Sequence, residues 1–402
     1  MRMIKGDAKL IKELNLATVL DLVRVEGPIS RTDIAKCTKL SHPAVSTIIG
    51  HLLEEGLIQE GGKAQSQGGR PARLLHFNPR AGFVIGVDVG GTKISGAIVD
   101  LDGHILTRHT INTHGADNSL ASLMALIKHL LGQLAKPASC WGIGLGVPGA
   151  VDPGTGSIQF SPGVGWDDID IAAQLEEEFS LPVWVDNDVN GFVRGEHRYG
   201  SLQGVRNGIG VAIGTGIGVG MLLNNQMYQG QNGAAGEVGY WILRDTDGIR
   251  RSKGYGPLEA YAAGPGIAKR AKMALEERVH DGRILLDLVD GDKEKITAKT
   301  VFEAARLGDP LAQENLRETT QTLGVMMGNL ASLLNVERIV VGGGVSRAGE
   351  DLIGGMREIV EKMAPYPPEI VVSALQEDAG ILGAVAGVLE SNKLSLRLSD
   401  MQ

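Results

Sequence analysis

Cysteine is nearly absent: the 402 residues contain two, Cys37 and Cys140. That excludes a disulfide framework and any all-cysteine metal site, and both read as spare core thiols. No apolar run reaches about 18 residues, so no membrane span is expected. The stretch from Met1 to Asp7 lacks the apolar core of a signal peptide, which leaves the cytoplasm as the expected address. Charged residues make up 21% and hydrophobic residues 43%, which argues against a disordered, collagenous or coiled-coil chain. At roughly 100–200 residues per domain, the length allows two or three domains.

Glycine is in excess. There are 57, about twice the usual share. Glycine in tight turns often marks phosphate-binding loops, a first hint of a nucleotide. Charge is also uneven. Residues 1–80 hold 12 Lys/Arg against 8 Asp/Glu, whereas residues 81–402 hold 27 against 39. A basic head on an acidic body suits contact with DNA phosphates.

Residues 1–80 have the pattern of a winged helix-turn-helix. Leu10, Leu14, Val19, Leu20 and Val23 carry helical spacing to about Val25, and Gly27-Pro28 ends the helix. A short helix is expected from Arg31 to Cys37, opened by Ser30. Ser41 then caps a second helix with Pro43 in its first turn. Ser41, His42, Ala44, Ser46 and Thr47 lie at its N-terminal end, the end that enters a major groove. Gly56–Gly61 and Ala72–Phe77 read as the strands of a wing whose tip, Ser66–Pro71, carries Arg70. Arg31, Arg70 and Arg73 are the expected phosphate or minor-groove contacts. The same order of elements would also fit a three-helix module for protein contacts.

The remaining chain carries two glycine-rich hairpins. Strand Gly82–Val89 contains Asp88 and runs into Gly90-Gly91-Thr92-Lys93. About 125 residues later, Ile209–Ile213 runs into Gly214-Thr215-Gly216. The pair implies an internal duplication facing one cleft, with backbone N–H groups open to an anion and Asp88 able to orient a hydrated Mg²⁺. Pro182–Val185 is a buried strand leading to Asp186-Asn187-Asp188 and a helix. Asp188 fits a general base for a sugar hydroxyl or a helix cap equally well. Near the C-terminus, a strand runs into Gly342-Gly343-Gly344, which fits an adenosine rest or a plain strand-to-helix turn. The charged segment Glu277–Lys295 reads as a surface excursion.

Together with Val147–Asp152, Ile296–Ala305 and Gly308-Asp309, these motifs resemble the ROK family of bacterial repressors and sugar kinases, over essentially the whole chain. The resemblance implies an α/β body of the two-lobed, actin-like and hexokinase-like (ASKHA) type behind a winged helix-turn-helix. The expected domains are residues 1–80, 81–200 and 201–402. It assigns Asp88, Gly90, Gly91, Thr92, Lys93, Gly214, Thr215 and Gly216 to ATP phosphates and Gly342, Gly343 and Gly344 to adenosine. Asn187, Asp188, Glu237 and Glu259 go to the sugar, with Asp188 the base in kinase members.

Two departures stand out. Tyr240 replaces a family histidine, and Arg250, Ser252 and Pro257 stand near the positions of three cysteines that complete its zinc site, so zinc is expected to be absent. Glycine replaces an asparagine near Ser161-Pro162-Gly163. Both phosphate loops and Asp188 look intact, so ATP and Mg²⁺ are compatible with the sequence though not required. The expected function is a sugar-responsive repressor of carbohydrate-use genes, holding operator DNA with its head and a sugar or sugar phosphate between its lobes, as a homodimer or homotetramer. The alternative is an active sugar kinase that also carries a DNA-binding head.

Overall fold

The computed structural model describes residues 8–63, 73–113, 119–136, 139–161, 164–242 and 256–391. The wing tip with Arg70 lies outside them.

The head comprises α1 (Ala8–Glu26), β1 (Ile29–Ser30), α2 (Arg31–Thr38), α3 (His42–Glu54), β2 (Ile58–Lys63) and β3 (Arg73–Phe77). Its helices start where the caps require. Ser30 Oγ accepts from Asp33 N at 3.2 Å and donates to Asp33 Oδ2 at 2.7 Å. Ser41 Oγ accepts from Ala44 N at 3.4 Å. The two bonds accepted by the serine oxygens each satisfy a helix-start N–H that has no partner within its own helix. Val19, Val23, Ile34, Val45, Ile49, Leu52 and Leu75 form the buried core. β1 has no sequence signal; its two residues pair with Leu75 and Leu74 at one edge of a β1-β3-β2 sheet. Cys37 is exposed, not a core thiol, whereas Cys140 is buried. On α2, Ile34 and Ala35 face inward, and Cys37 sits about 200° around the helix from Ala35.

The body contains two five-stranded sheets. The first is built from β4 (Phe83–Val89), β5 (Lys93–Asp100), β6 (Ile105–Asn112), β7 (Cys140–Val147) and β11 (Val183–Asn187). A small sheet of β8 (Ala150–Val151), β9 (Ile158–Ser161) and β10 (Trp166–Ile169) follows β7. Helices α4 (Ser119–Leu131) and α5 (Ile171–Phe179) cover one face, and α6 (Asp188–Tyr199) leaves β11. The second sheet is built from β12 (Gly208–Ile213), β13 (Ile217–Leu223), β14 (Gln226–Met227), β15 (Arg338–Gly342) and β16 (Glu369–Val372). Around it lie α7 (Pro257–Ala262), α8 (Gly264–Glu277), α9 (Arg283–Asp287), α10 (Ala298–Arg306), α11 (Pro310–Leu334) and α12 (Glu350–Met363), and α13 (Ala379–Glu390) ends the described chain.

Both sheets are wound alike. Three antiparallel strands are followed by two that run parallel to the first on its other side. This is the duplication announced by the paired hairpins. Helix α6 packs on the second sheet, α13 packs on the first, and the two helices pack on each other. α13 falls within residues 201–402 in sequence, yet its Ile381, Leu382 and Val385 share a core with Val84, Ala97 and Val99.

Much of the glycine excess serves this packing rather than phosphate loops. A Cβ on Gly144 would lie 2.1 Å from Ala384 O, and one on Gly383 would lie 1.7 Å from Gly191 O. Most of segment 277–295 is exposed, as a surface excursion would be, but it is anchored. Leu285 and Val289 are buried in the second lobe's core, and Asp309 Oδ2 accepts from Leu285 N at 3.0 Å.

Candidate functional site

Strands β4 and β11 flank β7 in parallel, with Asp88 and Asp186 both in register with Gly146. The strand ends thus deliver Asp88 and, one residue beyond β11, Asp188 to the same end of the sheet. Side chains at the carboxyl ends of parallel strands face the ligand crevice of open α/β folds. Gly146 lies against that end of the sheet: a Cβ on it would be in ordinary contact with Asp188 Cα, at 3.5 Å.

Burial pushes the Asp188 carboxyl up to about 7, with Asp88 and Glu237 adding repulsion and the Val189 N–H opposing. Burial likewise raises Asp88, against the pull of Lys93. The cap on α6 is Asn187, not Asp188. Asn187 Oδ1 accepts from Val189 N at 2.9 Å and Asn190 N at 3.2 Å, and its Nδ2 donates to Gly149 O at 3.0 Å. Asn187 therefore ties the loop at Gly149 to the start of α6. Asp186 belongs to no sequence motif. It is buried, accepts from Asn190 at 3.0 Å, and accepts from Gln229 of the second lobe at 2.8 Å.

The second lobe brings Glu237 and Glu259. Glu237 opens the turn Val238–Tyr240; burial and Glu259 raise its pKa. Glu259 sits in the first turn of α7 and accepts from Gly256 N at 3.3 Å. Burial raises it, and the Gly256 and Ile217 N–H groups oppose. Tyr240 is exposed at the surface, and burial and both glutamates hold it above the usual phenol range.

The glycine loops divide by role. Gly90 N donates to Lys93 O at 2.9 Å, closing the first turn, while Gly91, Thr92 and Lys93 are exposed. In the second turn, Thr215 is exposed and a Cβ on Gly214 would meet nothing. Gly216 is bare for another reason: its Cβ would lie 2.0 Å from Glu259 Oε1. Two residues of the triple glycine are also required by packing. A Cβ on Gly342 would strike the Phe192 ring at 2.6 Å, and Gly343 has φ +84 with Ile213 O against it. Only Gly344 borders open space. No group of three His, Cys, Asp or Glu that could hold a metal occurs among the described residues. Arg250, Ser252, Pro162 and Gly163 lie outside those residues.

On the head, Ser41, His42, Ser46 and Thr47 are exposed at the start of α3, and Ala44 is half-buried. Thr47 Oγ1 donates to Pro43 O at 3.1 Å. Arg31 and Arg73 are not free side chains. Both pair with Glu60 of β2, a residue the sequence reading passed over. The two arginines lie 29 residues before and 13 after it, so only the folded wing reveals the cluster.

Residues 84–391 match the ROK family. The chain belongs to the ROK family. Residues 17–66 match the MarR family, in agreement with the winged head. A xylose repressor from Caldicellulosiruptor bescii is 29% identical over 394 residues, 96% of this chain and 97% of that protein. A crystal structure of a ROK family transcriptional regulator, a homolog of the E. coli MLC protein, superposes with TM-score 0.83 at 25% identity over 97% of this chain and 98% of that one. A ROK glucokinase from Streptomyces griseus, solved with glucose and AMPPNP, gives TM-score 0.67 at 31% identity over 75% of this chain and 98% of that one. The similarity to regulators therefore includes the head, whereas the glucokinase covers the body alone. Among the described residues no helix is long and apolar enough to cross a membrane.

Proposed function

We propose that this ROK protein is a sugar-responsive transcriptional repressor of carbohydrate-use genes. Residues 1–80 hold operator DNA. Residues 81–200 with α13, and the rest of 201–402, close on a sugar or sugar phosphate. It acts in the cytoplasm, where the chromosome is, as a dimer or tetramer whose paired heads read paired half-sites. Ser41, His42, Ala44, Ser46 and Thr47 face base edges, and Arg31, Arg70 and Arg73 face the backbone.

One observation supports the reading: a continuous chain of contacts runs from Asp188 at the start of α6 to the head. Helix α6 starts at Asp188 and ends at Tyr199. A Cβ on Gly103 would lie 2.7 Å from the Tyr199 ring, and the adjacent Asp102 lies 3.9 Å from Arg24 of α1. Leu101 is part of the head's own core, with Trp141 and Leu389 packed against it. A ligand that prefers one lobe angle shifts α6 and with it the head, and DNA affinity changes by the ligand's differential affinity for the two states.

The cleft favours a polyol. Asp188, Glu237 and Glu259 offer several acceptors to hydroxyl groups, and each bond leaves one fewer buried polar atom unpaired. Xylose is the first candidate because whole-length relatives are named xylose repressors; glucose follows. Calorimetric titration with xylose, glucose and their phosphates tests this. One of them should bind, and Glu237→Gln should weaken it roughly 10- to 100-fold, the loss of one charge-assisted bond. Undiminished binding by Glu237→Gln would remove the cleft assignment.

A second reading is favoured by the place of Asp188, one residue beyond β11 and beside Asp88, where burial pushes its carboxyl up to about 7, the range in which a general base is most effective. Asp88, Lys93 and the open backbone at Gly91 and Gly214 suit ATP·Mg²⁺, since Mg²⁺ commonly takes one or two carboxylates and the phosphates. Bound ATP·Mg²⁺ would supply an activated phosphoryl group, while Asp188 takes the sugar proton. ADP release across the same sugars, abolished by Asp188→Asn, would make the protein a kinase with a DNA-binding head. No release leaves the body a sensor.

A further inference from the structure

Glu60 stands in the middle of β2, between the start of α2 and the root of the wing. Its Oε1 accepts from Arg31 Nη2 at 2.9 Å, and its Oε2 accepts from Arg73 Nη1. One carboxylate thus takes one arginine on each oxygen, from two different elements. The carboxylate side chain is 23% exposed, against 40% for Arg31 and 67% for Arg73. The guanidinium groups therefore stand outermost and the acid lies beneath them. The pairing of β2 with β3 shifts register between Glu60 and Lys63, a bulge of the kind that re-aims side chains near functional sites.

Each arginine carries five N–H donors in a planar fork. One N–H given to Glu60 leaves the others free, so the carboxylate orients both forks without using them up. It also cancels one of their two charges. Generic attraction to DNA scales with the phosphates neutralised, whereas register and orientation depend on where the donors point. An acid beneath a pair of arginines reduces the first and fixes the second.

We infer that Glu60 is a positioning residue that presents Arg31 and Arg73 as one phosphate clamp and restrains sequence-independent binding, so that discrimination between operator and bulk DNA depends on it. The inference rests on the reading of the head as a DNA-binding module.

The test uses the full chain and two labelled duplexes. One has a scrambled sequence, and the other is recovered by the wild-type protein from a random pool. Affinity is measured against salt for wild type, Glu60→Gln and Glu60→Asp, with thermal unfolding alongside. Glu60→Gln should bind the scrambled duplex roughly 3- to 10-fold more tightly, and its plot of log affinity against log salt should steepen by about 0.9, the value of one more neutralised phosphate. The ratio of selected to scrambled affinity should fall roughly 3- to 10-fold. Glu60→Asp keeps the charge and should keep the wild-type slope even if its shorter side chain weakens binding. Equal weakening on both duplexes with an unchanged slope would mean that Glu60 only braces the wing, and would overturn the inference. If Glu60→Gln fails to fold, Glu60→Asp decides: a slope steepened as though the charge were lost overturns it. A wild-type protein that recovers no sequence from the pool would instead defeat the DNA-binding reading itself.

Discussion

Burial, Asp88 and Glu237 together hold the proton on Asp188 up to about neutral pH. An ordinary carboxyl loses its proton near 3.8 in the unfolded chain. Between about pH 4 and about pH 7 the folded state therefore binds the proton that the unfolded state has released. Stability must fall as pH rises through that window, and the penalty is complete above about pH 7. Asp188→Asn removes the titration. The variant should melt several degrees above wild type at about pH 8, and the gain should shrink toward zero near pH 4. Equal gains at both pH values would mean that Asp188 does not carry the raised pKa. Asp188 stands at a strand-to-helix junction where the sequence fits a base or a cap equally well, and Glu237 and Glu259 are assigned only through the resemblance to the ROK family. The capping role of Asn187 was not legible, since Asn and Asp at a strand-to-helix junction cap equally well, and only the backbone of α6 distinguishes them. The pairing of Arg31 and Arg73 with Glu60 was also hidden, because it joins residues on three elements that meet only in the fold.

Helices α6 and α13 cross between the sheets at a point where neither can carry a side chain. A Cβ on Gly195 would lie 2.5 Å from Ala379 O, and Gly383 is closer still to Gly191 O. The contacted atoms are backbone and cannot swing aside. Gly383→Ala should therefore cost about 3 kcal/mol or more, at the upper end of overpacking, read as a lower urea midpoint for the full chain. Gly344→Ala, where a Cβ meets nothing, should leave the midpoint nearly unchanged. Equal effects at the two glycines would show that the helices have room to separate. The hairpins and β11 were legible because strand and turn residues alternate cleanly there. β1 was not, because two residues make a strand only through Leu74 and Leu75, which arrive more than forty positions later. The charges of segment 277–295 mark its exposed face but not its anchors, Leu285 in α9 and Val289 just past its end, which reach the core.

At the scale of the molecule, a basic head is fused to an acidic body: the first 80 residues carry four more basic than acidic side chains, and the rest carry twelve more acidic than basic. DNA is drawn to the head and repelled by the body, so binding should weaken steeply with salt. The head shares core residues with the first lobe, and α6 runs from the cleft to that junction. These contacts connect the start of α6 to the head through Leu101, Trp141 and Tyr199, residues that belong to no motif and that charge and motif patterns therefore do not mark. The decisive measurement is the affinity of the full chain for a duplex it has itself selected, with and without the sugar that binds its cleft. The account predicts that this sugar changes the affinity at least 5-fold, a coupling of about 1 kcal/mol or more, and that Glu237→Gln, which impairs the cleft but not the head, abolishes the change at the same sugar concentration. Sequence-selective binding that is indifferent to every sugar the cleft accepts would contradict it.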